Sequence, residues 1–162
     1  MLHDQRRARC IAPHSNALRR NRESTPGDIY AVTTSALSRR RYFDGFYRGR
    51  CVVDALRRAE ARGQARTLAF VVMPDRLHWL LRLGTEAQLA KVVARVKRES
   101  SASLNASDEQ VGRRIWQPGY YEHHAHSDED LYSQARYIVE NPIRAGVVLE
   151  IGDYPLWDCV WL

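Results

Sequence analysis

Cysteine is scarce and scattered in this chain. Cys10, Cys51 and Cys159 are the only three among 162 residues, and no two form a CxxC pair. Neither a disulfide framework nor a cysteine zinc site is indicated. No apolar run approaches the roughly 18 residues of a membrane-spanning helix. Arg6, Arg7 and Arg9 lead only into Ile-Ala-Pro-His, too short and polar for a signal-peptide core. A reducing, cytoplasmic setting is the expectation, with no membrane partner. Internal repeats and low-complexity segments are also missing. Acidic residues are in deficit: 19 Asp and Glu face 25 Lys and Arg, a net charge of +6. That balance points to a polyanionic partner, with nucleic acid first.

What is present is patterned for one domain with a sizeable core. Residues 1–27 read as a basic, disordered tail that ends in the loop signal Thr25-Pro26-Gly27. The domain is expected over 28–162. Ile29–Thr34 is β-branched and aromatic and reads as a strand. Ser38-Arg39-Arg40-Arg41 reads as a basic loop. Helical spacing predicts a helix from Phe46 to Arg62, ended by Gly63. The continuous apolar run Thr67–Met73 suits a central strand covered on both faces.

A turn at Pro74-Asp75 then leads into a strand from Arg76 to Leu83. Arg76 and His78 are two apart and share one face; Leu77, Trp79, Leu81 and Leu83 take the other. A strand that buries one face and shows a polar pair on the other can hold a metal or a phosphate. A helix is predicted over residues 86 to about 104, with Leu89, Val92, Val93 and Val96 inward. Lys91, Arg95 and Arg98 lie on another face of it, a DNA-binding row or a solvated charged face. Arg114–Tyr121 is predicted as a strand interrupted by Pro118-Gly119. Ser127 with Asp128, Glu129 and Asp130 marks a helix start. That helix is expected to stop at Asn141-Pro142, and the remainder is read as a packed C-terminal tail. The order β-α-β-β-α-β-α predicts a two-layer α+β fold on an antiparallel sheet.

Tyr137 and Asn141 are four apart and share a helix face. Tyrosine offers a phenolic nucleophile that needs activation. Asparagine offers a neutral oxygen ligand for a hard divalent cation. The plainer alternative is that Tyr137 covers the core and Asn141 ends a helix before proline.

Three separated blocks carry a resemblance. They are Val72-Met-Pro-Asp-Arg-Leu-His-Trp-Leu-Leu81, Trp116-Gln-Pro-Gly-Tyr-Tyr121, and Tyr137-Ile-Val-Glu-Asn141-Pro142-Ile-Arg144-Ala-Gly146. With the closing Ile151–Trp157, the stretch 28–162 resembles the REP-associated tyrosine transposases, single-tyrosine HUH nucleases. The resemblance implies a ferredoxin-like α+β antiparallel sheet with helices packed on one face. It implies a single-stranded or hairpin DNA partner and no protein partner. Tyr137 falls at the nucleophile, which attacks a backbone phosphate and holds the 5′ side as a phosphotyrosine before joining. His78 and Asn141 fall at ligands for Mg²⁺ or Mn²⁺.

The first histidine of the family's pair falls on Arg76. Guanidinium has no lone pair to give a metal and is always charged. Three readings follow. Arg76 contacts the phosphate itself; His123, His124 or His126 substitutes; or the site is inactive. The enzyme reading is metal-dependent nicking and joining by Tyr137. The alternative is a catalytically impaired hairpin-DNA-binding module using Arg76, Arg39, Arg40, Arg41, Lys91, Arg95 and Arg98. An RNA-binding sheet is a third reading, without a motif of its own.

Overall fold

The computed structural model describes residues 23–162. Most of the segment expected as a basic tail, residues 1–22, lies outside the described residues. The elements run β1 (Ile29–Ser35), α1 (Phe46–Ala61), β2 (Ala65–Met73), β3 (Arg76–Leu83), α2 (Leu89–Ser107), β4 (Tyr121–His124), α3 (Asp128–Arg144) and β5 (Trp157–Cys159). The strands form one five-stranded sheet in the order β4-β1-β3-β2-β5, every neighbouring pair antiparallel.

The α+β class and antiparallel sheet are as expected. The helices, expected on one face, divide between two. Leu80 and Val71 are buried on one face of the sheet, Trp79 and Phe70 on the other. One helical layer cannot cover both. In α1, Val53 and Leu56 line a small cavity with Thr67 and Phe70, and α2 lies against α1. The third helix, α3, packs on the opposite face, where Arg76 and His78 point.

β2 and β3 are a hairpin closed at Met73↔Arg76. Its tip is held from outside: Ala36 N donates to Asp75 O at 2.8 Å and Phe43 N to Pro74 O at 3.0 Å. Trp79, the largest fully buried side chain, satisfies its indole N–H on Thr67 Oγ1 at 3.1 Å. The stripe predicted for α2, Leu89, Val92, Val93 and Val96, is its buried face.

Three expectations are corrected. The strand placed at Arg114–Tyr121 begins only at Tyr121; before it, Trp116 makes a single bridge to Ala36. Pro118 has no donor and Gly119 turns at φ 79°, so the ladder restarts beyond them. The helix expected to stop at Asn141-Pro142 continues to Arg144. Pro142 forfeits one N–H, yet Asn141 and Pro142 are both buried, and packing outweighs the missing bond. The end is set instead by Gly146 at φ 69°. There Gly146 N donates to Ile143 O at 3.0 Å and Val147 N to Pro142 O at 2.9 Å, a Schellman closure. Finally, the C-terminal tail supplies a fifth strand, with Trp157–Cys159 pairing along β2. Ahead of it, buried Tyr154 donates its hydroxyl to Val72 O at 2.6 Å.

Candidate active site

β3 and α3 bring four of the sequence-selected residues together. Strand alternation turns Arg76 and His78 toward α3, and helical spacing turns Tyr137 and Asn141 toward β3. Arg76 Nε donates to His78 Nε2 at 3.0 Å. Arg76 Nη2 donates to Asn141 Oδ1 at 2.8 Å. Arg76 Nη1 donates to Asp75 Oδ1 at 2.8 Å. One guanidinium therefore bridges an imidazole, an amide oxygen and a carboxylate.

His78 is 6% exposed and Asn141 4%. Arg76 Nε can only donate, so Nε2 of His78 accepts and the ring proton sits on Nδ1. Thr33 Oγ1, 2.9 Å away, accepts a hydrogen bond from that N–H. Burial, then the Arg76 charge beside it, lowers the His78 pKa to about 3. The imidazole is neutral, and its lone pair faces the space between β3 and α3.

The donor set does not fit a divalent metal in this arrangement. His78 Nε2 and Asn141 Oδ1 are the two atoms that would ligate one, and both already accept from Arg76. The guanidinium stands where the ion would sit. Two positive charges and one, about 4 Å apart, repel by several kcal/mol even at an effective dielectric of about 20. Among the described residues no group of three or more His, Cys, Asp or Glu is placed to hold a metal.

His123, His124 and His126 are engaged elsewhere. His123 pairs with Asp130 at 2.9 Å and His124 with Asp28 at 2.8 Å. They sit opposite Ala31 and Tyr30 on β4, and the ring of His126 packs on His124. His123 and His124 lie in β4, and His126 follows it.

Tyr137 is 46% exposed. Its ring meets His78 edge-on, centroids 6.0 Å apart at 89°. The Arg144 guanidinium lies 5.3 Å from that ring and holds Glu140 at 3.0 Å. Of the basic loop, Arg39 alone reaches the site. Its Nε lies 2.9 Å from Asp75 Oδ2 and its Nη1 donates to Ser35 Oγ at 3.1 Å. Asp75 is thus shared between Arg39 and Arg76. Ser38 and Arg39 both adopt positive φ, 55° and 56°, a strained backbone at about 1–2 kcal/mol each. Arg40 turns to Tyr42 and Arg41 to Asp44. Lys91, Arg95 and Arg98 lie on α2, in the layer across the sheet.

Sequence reasoning missed Thr33, Asp75 and Arg144. Thr33 was legible only with the β1–β3 register, Thr33↔His78, in hand. Asp75 neighbours Arg76, but a turn residue carries no signal of where its carboxylate points. Arg144 lies seven residues beyond Tyr137, two turns along the same face.

The transposase IS200-like family model matches residues 29–141. The chain belongs to that family. A protein of Haemophilus influenzae assigned as a REP-associated tyrosine transposase is 29% identical over 98 residues, covering 55% of this chain and 56% of the relative. The REP-associated tyrosine transposase of Escherichia coli is 27% identical over 89 residues, 54% and 50% of the two chains. The chain thus spans about half the length of the curated relatives it matches. Among solved structures, a REP-associated tyrosine transposase bound to a REP hairpin superposes with a TM-score of 0.70 at 20% identity, over 84% of this chain and 79% of the other. A transposase from Deinococcus radiodurans gives 0.52 at 19% identity, over 74% and 91%. These structures share the transposase fold. Among the described residues no helix is long and apolar enough to cross a membrane.

Proposed function

We propose that this IS200-like transposase domain, residues 28–162, binds hairpin DNA without metal-dependent strand cleavage. The observation that carries this reading is Arg76 held by both His78 Nε2 and Asn141 Oδ1. A backbone phosphate beside Tyr137 meets a fixed cation, and guanidinium binds phosphate in two-pronged fashion. Arg39, tethered to the same Asp75, supplies a second cation at the mouth of the site. The relative solved with a REP hairpin supports hairpin DNA as the ligand class.

A second reading keeps the covalent chemistry. Tyr137 attacks the phosphate, the bond to the 3′ oxygen breaks, and the 5′ side stays on the tyrosine until a new 3′-hydroxyl displaces it. The exposed Tyr137 ring against His78 favours this. Neutral His78 is too weak a base to activate the phenol.

A labelled hairpin with a single-stranded flank, incubated with Mn²⁺ and run on a denaturing gel, separates the two. Wild-type protein is expected to shift the hairpin on a native gel and to form no covalent adduct. Arg76→His is expected to form one, and Arg76→His with Tyr137→Phe to lose it. A wild-type adduct abolished by Tyr137→Phe establishes the enzyme reading instead. No adduct from either protein removes Tyr137 as nucleophile.

A further inference from the structure

The face of α3 that carries Tyr137 is fastened at both ends. Asp130, Gln134, Tyr137 and Asn141 follow one another at steps of four, three and four, a single row along the helix. At the far end Asn141 accepts from Arg76 of β3. At the near end Asp130 meets His123 of β4, whose Nε2 lies 3.0 and 2.9 Å from its two carboxylate oxygens. We propose that His123 is a positioning residue for Tyr137, acting through Asp130, and that its protonation sets how firmly α3 presents that tyrosine to DNA. The inference rests on the hairpin-binding reading for its ligand and gives that site a pH response.

Sheet register puts His123 on the side where it can do this. His123 lies opposite Ala31, and Ala31 opposite Leu80. Leu80 is two residues from His78, so these side chains share the α3 face. The body of α3 packs on β2 and β3, and the bond from His123 ties its first turn to the edge strand as well.

Asp130 is the third residue of α3. Its N–H donates to the Ser127 cap at 3.1 Å, and its Oδ2 accepts from His126 N at 3.2 Å. The bond from His123 is the main reason its carboxyl lies below the usual carboxylate range. Asp130 is therefore an anion while a histidine titrates. A carboxylate only accepts, so His123 Nε2 carries a hydrogen in both of its charge states. Protonation at Nδ1 turns that hydrogen bond into an ion pair.

The other anchor does not vary. Arg76 is always charged, and His78, with a pKa lowered to about 3, stays neutral near neutral pH. Around His123, Ala31 of β1 brings no charge, and Asp128 and Glu129 share the first turn of α3 with Asp130. On β4, Tyr121 shares the face of His123, while Glu122 and His124 alternate to the opposite one. There His124 pairs with Asp28 and stacks on Tyr30, and His126 packs on His124.

NMR on the full chain with ring-labelled tyrosine tests this, with Tyr137 assigned by its loss in Tyr137→Phe. Between about pH 5 and about pH 8, where histidine titrates, the Tyr137 ring signal is expected to shift with the midpoint of His123. His123→Gln keeps a neutral donor to Asp130 and is expected to hold the signal at its high-pH position. Asp130→Asn is expected to abolish the shift although His123 still titrates, and His124→Gln to preserve it. Amide spectra check that each variant folds, and either of the first two decides the matter alone. An Asp130 that merely caps α3 gives a Tyr137 signal that ignores His123, and the proposal falls. A shift that survives Asp130→Asn overturns it too. Hairpin binding is then followed by fluorescence anisotropy at constant salt. Wild-type protein is expected to gain about threefold in affinity from pH 8 to pH 6 over Asp130→Asn, the scale of a half-exposed ion pair. Equal pH dependence in the two overturns the proposal, since a His123 that touched phosphate directly would keep its effect without Asp130. A Tyr137 signal that follows His123 in a protein that binds no hairpin supports the positioning role and removes the hairpin reading. Hairpin binding with a Tyr137 signal blind to His123 keeps that reading and removes the positioning role.

Discussion

Arg76 and Asn141 face each other across the gap between β3 and α3, Nη2 to Oδ1 at 2.8 Å. The contact ties a central strand to the last helix through a half-buried guanidinium and a buried amide.

Arg76→Met is therefore expected to destabilise the fold. It leaves His78 Nε2 and Asn141 Oδ1 without their donor, at about 1–3 kcal/mol for each acceptor left unpaired. Arg76→Lys is expected to recover only part, because one ammonium cannot span acceptors on three sides. Urea midpoints at constant m-value measure both. Equal stability of Arg76→Met and wild type contradicts the bridge.

Metal response follows from the same place. Mn²⁺ is expected to leave the wild-type melting temperature unchanged and to raise that of Arg76→His. A metal bound only by the folded state adds about 2.7 kcal/mol at about one hundred times its Kd. A wild-type chain stabilised by Mn²⁺ and destabilised again by a chelator overturns the picture of guanidinium in the ion's place.

The His78 pKa falls from 6.5 to about 3 on folding, through burial and the Arg76 charge. Below pH 6.5 the unfolded chain binds a proton that the folded chain refuses. This contribution is present above pH 6.5 and is lost as pH falls toward 3. The slope approaches roughly 1.4 kcal/mol per pH unit for one proton. Denaturation at a series of pH values, with His78→Asn as reference, isolates it. Parallel curves for the two proteins refute the assignment.

Gly84→Ala probes the opposite end of β3. A Cβ there would lie 2.1 Å from the backbone oxygen of Gly63. Neither atom can swing aside, so the turn after α1 must move, and a loss of about 1–3 kcal/mol is expected. Gly152→Ala, with nothing within 4 Å of the added carbon, serves as the control. Similar melting temperatures for both variants count against this packing.

Period-two and period-3.6 patterns made the central elements legible: β3 spans Arg76–Leu83 as read, and α2 buries the stripe its spacing marked. Ends and edges were not legible. Proline is a local signal, and it misplaced the end of α3 because burial of Asn141 and Pro142 is a tertiary effect. Short edge strands such as Trp157–Cys159 take their conformation from the strand they pair with. At the site, helix and strand periodicity sufficed to bring Tyr137, Asn141, Arg76 and His78 to one place. Thr33 and Asp75 needed a cross-strand register and a turn geometry that no spacing along the chain contains.

Residue 76 holds its place through the backbone, pairing with Ser35 on one side and Met73 on the other. The scaffold around it is built by main-chain hydrogen bonds that do not read the side chain. On the proposed reading, the side chain at residue 76 decides between a reader and a cutter of DNA while the main-chain pairing of β3 stays the same.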